Sequence, residues 1–173
     1  MSISETLLPE FDQEMQNTRK LLECVPEDKP DYKPHEKSMT MARLAGHVAE
    51  LPGWAVNTVN ASELDLTPAS GETFRACIMT SRQQLLEVFD KNAAEARSAI
   101  ASASDEHLHQ LWSLIYKGKK VIEMPRAAVL RSMVMNHLIH HRAQLGVYLR
   151  LNNVAIPGMY GPSADEGRMF AAM

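Results

Sequence analysis

The sequence predicts an all-α protein: a four-helix bundle with a short irregular hairpin before the last helix and an extended C-terminal tail. Two observations carry this. Apolar residues recur at steps of three and four along four long segments, the period of a helix with one buried face. Modest loops rich in Pro, Gly, Asp and Asn separate those segments, as helix ends require. The chain has 173 residues, 45% of them apolar, which is enough for a single domain over residues 1–173 with one core of its own.

The first helix spans residues 2–24. Ile3, Leu7, Phe11, Met15, Thr18, Leu22 and Val25 form its stripe, Ser2 or Ser4 opens it, and Pro26 and Pro30 end it. Pro9 is tolerated because it lies near the start. The second spans residues 40–61, with Ser38 and Thr40 as alternative N-caps. Leu44, His47, Val48, Leu51, Trp54, Ala55 and Thr58 face inward, and Pro52-Gly53 predicts a kink or a break. Residues 62–71 read as a connection. The third helix spans residues 72–103, capped by Ser70 or Thr73, with Phe74, Ile78, Leu85, Val88, Phe89, Ala96 and Ile100 on its apolar face and Ser81 interrupting it. In residues 104–125 apolar residues bunch around Lys117-Gly118-Lys119, and Gly118 permits a tight turn between two short extended pieces. The fourth helix spans residues 126–151. Pro125 suits a first helical position, the core face is Leu130, Val134, Leu138, Leu145, Tyr148 and Leu149, and Asn152-Asn153 stops it. The tail, residues 152–173, packs on the bundle through Ile156, Met159 and Tyr160.

Composition removes several functions. A net charge of −3 leaves no electrostatic footprint for nucleic acid or an anionic membrane, and Lys117, Lys119 and Lys120 read as a solvated turn. The N-terminus is not a signal peptide, and no segment is apolar enough to span a membrane. Cys24 and Cys77 are far apart without CxxC spacing, which points to inert thiols in a reduced cytoplasmic protein. The 11 Met residues, Met41, Met79, Met133 and Met135 among them, read as gap-fillers of core or interface.

Histidine is the informative residue. With Leu130 set at zero and about 100° per residue, His137 falls near −20°, His141 near +20° and His140 near −80°. His137 and His141 therefore occupy the middle of the apolar stripe, four residues apart, where both imidazoles reach one ion. His47 holds the same position on the second helix. A buried imidazole has two ring nitrogens to satisfy. Either the three are core histidines bonded to backbone and to one another, or they bind a metal, as facing side chains do in helical bundles. The pattern is not a zincin, because Leu138 stands where HExxH needs a glutamate. It is not a di-iron bundle, because the Glu-x-x-His pairs are missing. Three imidazoles without a carboxylate suit zinc, nickel, copper or iron rather than calcium or magnesium. They also leave a coordination position open, the catalytic pattern.

At these residues the chain resembles the DinB superfamily of helical-bundle metal-site proteins. The resemblance rests on LAGHVAELPGW in the second helix and on MPRAAVLRSMVMNHLIHHRAQLGVYLRLNNVAIPGMYGPSADE over the last helix and tail. The family hallmark is one His on the second helix and an HxxxH pair followed by R-G/A-Q-L on the last. It falls on His47, on His137 and His141, and on Arg142-Ala143-Gln144-Leu145; Pro125-Arg126 and the PGxYGP tail also match. The resemblance implies an antiparallel up-down-down-up bundle, a homodimer, and a zinc or nickel site (iron is the remaining option) on His47, His137 and His141. It implies relatives that are thiol-dependent transferases or isomerases using low-molecular-weight thiols, or hydrolase-like.

Other residues carry weaker signals. His140 is a stripe-edge residue or a partner behind the ligands. His107 and His109 read as an exposed loop pair, and His35 has no role. Arg142 suits a structural salt bridge or an interface contact. Glu50 reads as a surface glutamate, with a proton acceptor near the metal as the alternative; Trp54 and Tyr148 line the pocket or fill the core. No catalytic residue is assigned. The expectation is a divalent-metal-dependent transferase or hydrolase acting on a small molecule, with no nucleic-acid or membrane partner. The alternatives are a non-catalytic metal-binding module and a metal-free interaction protein.

Overall fold

A capping box starts the first helix: Ser2 Oγ accepts from the Glu5 N–H at 3.1 Å and Glu5 accepts from the Ser2 N–H at 2.6 Å, satisfying two donors that a helix start leaves open. This is α1, Ile3–Leu22. The computed structural model describes residues 1–68 and 76–167. Leu7, Phe11, Met15, Thr18 and Leu22 of α1 are buried, as their spacing requires. Thr40, not Ser38, caps α2, Met41–Glu50, accepting from the Arg43 N–H at 3.3 Å. The break at Pro52-Gly53 is a single 3-10 turn, Leu51–Gly53, after which α3 runs Trp54–Asn60.

The third helix is shorter than the expected 72–103. Helix α4 is Arg82–Ser102, opened by Ser81, whose Oγ accepts from the Gln84 N–H at 3.1 Å. The residue read as interrupting the apolar face is the cap. Ile78, assigned to that face, is 58% exposed. Residues 76–79 are not helical and lie along α2, where the Met79 N–H donates to the Ala42 carbonyl at 3.1 Å. Ser70, Thr73 and Phe74 fall outside the described residues.

The all-α expectation is corrected by a three-stranded mixed sheet. Strand β1, Glu63–Asp65, pairs parallel with β2, Leu111–Tyr116, which pairs antiparallel with β3, Lys119–Pro125. The hairpin turns at Lys117 (φ 51°) and Gly118 (φ 69°), the left-handed pair a two-residue turn needs to match strand twist. The register shifts between Leu114 and Ile115. Trp112 and Leu114 face inward and pack with Val129 in a second small core, and this burial holds the sheet on the helices. A short helix, α5, Asp105–His109, leads into the sheet.

The last helical run begins at α6, Arg126–Val129, continues as a π-helical segment, Leu130–Asn136, and ends as α7, His137–Leu151. The buried Arg126 guanidinium donates to the carbonyls of Thr58 and Ala61, closing the end of α3. Asn153, with φ 59°, stops α7 in the left-handed conformation that Asn tolerates. The main core joins α1, α2, α4 and α7 through Phe11, Leu44, Leu51, Leu85, Phe89 and Leu138.

Candidate metal centre

The π segment decides where the two helix-borne candidate ligands, His137 and His141, sit. A π turn holds one residue more than an α turn, so everything after it is rotated back by about 100°. Leu138, Arg142, Leu145 and Leu149 then fall under Leu130 and become the buried face. His137 and His141 move from the middle of the stripe to its flank, and they are half-buried. There they meet His47, which is 7% exposed on the core face of α2.

The three rings converge through their Nε2 atoms. His47 Nε2 lies 3.4 Å from His137 Nε2, which lies 3.0 Å from His141 Nε2. One ligand atom from each residue lies within 4.8 Å of the others. Three nitrogens at the usual distance from a tetrahedral zinc lie about 3.3 Å apart, a spacing that the two pairs through His137 already approach.

The opposite nitrogens each face an oxygen, which favours the tautomer with its proton on Nδ1. His47 Nδ1 donates to Glu50 Oε1 at 2.6 Å, His137 Nδ1 to the Met133 carbonyl at 3.3 Å, and His141 Nδ1 to Gln144 Oε1 at 2.7 Å. With a proton on each Nδ1, the three Nε2 atoms present lone pairs to one another and no donor. That arrangement is repulsive unless a cation occupies the centre, so the donor set fits a divalent transition ion.

Burial, and the neighbouring imidazoles of His141 and His47, push His137 down to about 4. Burial also lowers His141. Both are neutral at pH 7, the form that binds metal. An unfolded imidazole binds its proton near pH 6.5, whereas folded His137 resists it until about 4. Between those values the unfolded chain holds more protons, so acidification favours unfolding. The metal-free protein is therefore expected to lose stability as pH falls through that window. Urea unfolding at pH 7, 6 and 5 measures it, and His137→Asn should flatten the slope; an unchanged slope would place the titration elsewhere.

Glu50, read from sequence as a surface residue, is buried behind His47. Its carboxylate accepts from His47, from Arg43 Nη2 at 2.9 Å and from the Cys77 N–H at 2.7 Å. Burial pushes this carboxyl up, but the bonds from His47, Cys77 and Arg43 outweigh it and leave it below the ordinary range. Arg43 also donates to the Cys77 carbonyl at 3.1 Å. The sequence reading missed Arg43 and the Cys77 backbone. The available signal was Arg43, His47 and Glu50 at i, i+4 and i+7 on one face of α2.

Gly46 permits this contact: a Cβ there would lie 2.2 Å from the Cys77 carbonyl oxygen. Gly46→Ala must push residues 76–79 off α2, at a cost of about 1–3 kcal/mol. A lowered Tm together with weaker metal binding checks this.

The other candidates separate clearly. Gln144 positions His141, and its Nε2 donates to His140 at 3.0 Å, so His140 stands behind the ligands. The Trp54 ring lies 5.7 Å from that of His137. Tyr148 sends its hydroxyl to the Met39 carbonyl at 3.1 Å and not to the histidines. Arg142 forms a buried salt bridge to Glu14 at 2.6 Å. His107 is not an exposed loop residue; it is half-buried and its Nε2 donates to the Val59 carbonyl at 2.7 Å.

Comparison with known proteins agrees with this architecture. The uncharacterized protein YrdA of Bacillus subtilis (strain 168) is 25% identical over 164 residues, covering 94% of this chain and 91% of its own. The crystal structure of a DinB-like protein, YjoA, from Bacillus subtilis superposes with a TM-score of 0.67 at 19% identity, over 89% of this chain and 97% of that one. A second DinB-like crystal structure, from Bacillus cereus ATCC 10987, gives 0.68 at 21% identity, over 90% and 97%. These likenesses show the fold, and the sequence match to the DinB family extends over residues 1–169: this chain belongs to the DinB family.

Proposed function

We propose that this protein is a divalent-metal-dependent enzyme, a transferase or hydrolase of a small molecule, using zinc or nickel (or iron) on His47, His137 and His141. One observation supports the reading above the others: three Nε2 atoms face one another, and the far nitrogen of each ring faces an oxygen acceptor. Three protein ligands leave room for water or substrate. The bound ion would supply Lewis acidity, lowering the pKa of water or of a thiol. Glu50 keeps the proton on His47 Nδ1 and Gln144 does the same for His141, so neither ring can turn its lone pair away. A low-molecular-weight thiol as co-substrate and a homodimer belong to this proposal on the strength of the family resemblance, and a cytoplasmic location on the spacing of Cys24 and Cys77. No helix among the described residues is long and apolar enough to cross a membrane.

The test is elemental analysis of untagged protein purified without a nickel column, beside His137→Ala. About one zinc, nickel or iron per chain, lost in the variant, is the expected result. No stoichiometric metal, even after reconstitution, would leave a metal-free protein instead.

A further inference from the structure

We propose that the cavity between residues 37–39 and α7 receives a small organic anion, and that Lys37 selects it by charge. The proposal rests on the metal-centre reading above. The cavity has a volume of about 450 Å³ and reaches His141. Its apolar wall is Met39, Leu44 and the ring of Tyr148, and its polar rim is Lys37 and Ser38; no carboxylate lines it.

Two arguments point to an anion. The first is charge balance. Among the described residues the only carboxylate bonded to one of the three histidines, Glu50, is already matched by Arg43 at 2.9 Å. A divalent ion on three neutral imidazoles would therefore keep its charge, and Lys37 adds another at the cavity rim. A cleft of one sign with apolar walls concentrates ligands of the other.

The second is the supply of donors. Gln144 Oε1 accepts from His141, and its Nε2 gives one of its two protons to His140. Tyr148 gives its hydroxyl proton to Met39. Among the described residues this leaves the Lys37 ammonium, the Ser38 hydroxyl and the second Gln144 amide proton to meet a ligand, all of them donors. Their loop is held in place. Tyr148 ties Met39 to α7 and meets the Tyr32 ring edge-on at 5.9 Å, and the Tyr32 carbonyl accepts from the Met41 N–H at 2.7 Å. The cation is thus carried on a fixed rim, and the apolar wall accommodates the hydrocarbon body of a carboxylate better than a bare inorganic ion.

The full chain is loaded with cobalt(II), and its visible absorption is titrated with glutarate and with the neutral diamide glutaramide. Glutarate should perturb the cobalt bands, and Lys37→Gln should weaken its binding about tenfold or more, as loss of a charged hydrogen bond does. Lys37→Arg should bind nearly as wild type, and Lys29→Gln, which removes the same charge outside the cavity, should leave the titration unchanged. Glutaramide should bind weakly and be indifferent to Lys37. Glutarate binding that is equal in wild type and Lys37→Gln, equal for the diamide, equally reduced in Lys29→Gln, or absent overturns the proposal. Failure of cobalt to bind overturns the metal-centre reading, and the Lys37 proposal falls with it. Cobalt binding without Lys37 dependence overturns the Lys37 proposal alone.

Discussion

Glu50→Ala is expected to lower zinc affinity about 10–100-fold, the usual cost of removing the group behind a metal-binding histidine. Competition against a chromophoric chelator measures it. Without the carboxylate, His47 loses its Nδ1 acceptor at 2.6 Å, and the ring is free to exchange tautomers and turn. The same change strands Arg43 and releases the Cys77 N–H, so some stability is lost as well. Arg43→Met separates the two effects: it leaves the His47–Glu50 bond in place and should cost less affinity than Glu50→Ala. Equal losses in the two variants would mean that packing of the 76–79 segment, rather than the tautomer of His47, controls the site.

The largest effect on folding is expected at Arg142. It is 3% exposed and meets Glu14 Oε2 at 2.6 Å, with further bonds to the Glu14 carbonyl, to Thr18 Oγ1 and to the Tyr160 hydroxyl. Breaking a buried pair leaves an uncompensated charge, so Arg142→Ala should destabilise the protein by about 3–5 kcal/mol, measured by urea unfolding at pH 7. The double variant Arg142→Met with Glu14→Leu should recover most of that loss, because replacing both charges by apolar groups removes the desolvation penalty along with the attraction. A double variant as unstable as Arg142→Ala would show that the hydrogen bonds to Thr18 and Tyr160 matter more than the charge. Tyr160→Phe removes an acceptor of Arg142 and a donor to the Glu14 carboxylate at 2.8 Å, and should cost about 1.5–3 kcal/mol, as bonds to charged groups do. The cluster also explains how the tail is fastened to the bundle at a residue directly following His141.

Much of the site was legible because its signal is local. Two imidazoles four residues apart on one helix, and a third on the apolar face of another, are properties of spacing alone. Their depth was misjudged for a particular reason. A regular helical period does not hold through Leu130–Asn136, where the π segment adds a residue to the turn. An unbroken period places His137 and His141 at the centre of the stripe, a position that Leu138 and Arg142 occupy in the structure. Glu50 was misjudged differently: a glutamate one turn from a histidine looks like a surface residue until the partner from residues 76–79 arrives.

By itself, the sequence determined the family, the long helices, the turn at Gly118 and the identity of the three converging histidines, since each depends on residues near one another in the chain or on a motif. The tertiary structure decided the rest. The sheet exists because Glu63–Asp65 pairs with Ser113–Ile115, strands far apart in sequence that no local period connects. The start of α4 at Arg82 reflects Ser81 capping and the docking of residues 76–79 on α2, a contact that the missing Cβ of Gly46 allows. Which nitrogen of each histidine faces the centre depends on Glu50, Met133 and Gln144 lying within hydrogen-bonding distance, and tautomers respond to distance and burial, which spacing does not convey.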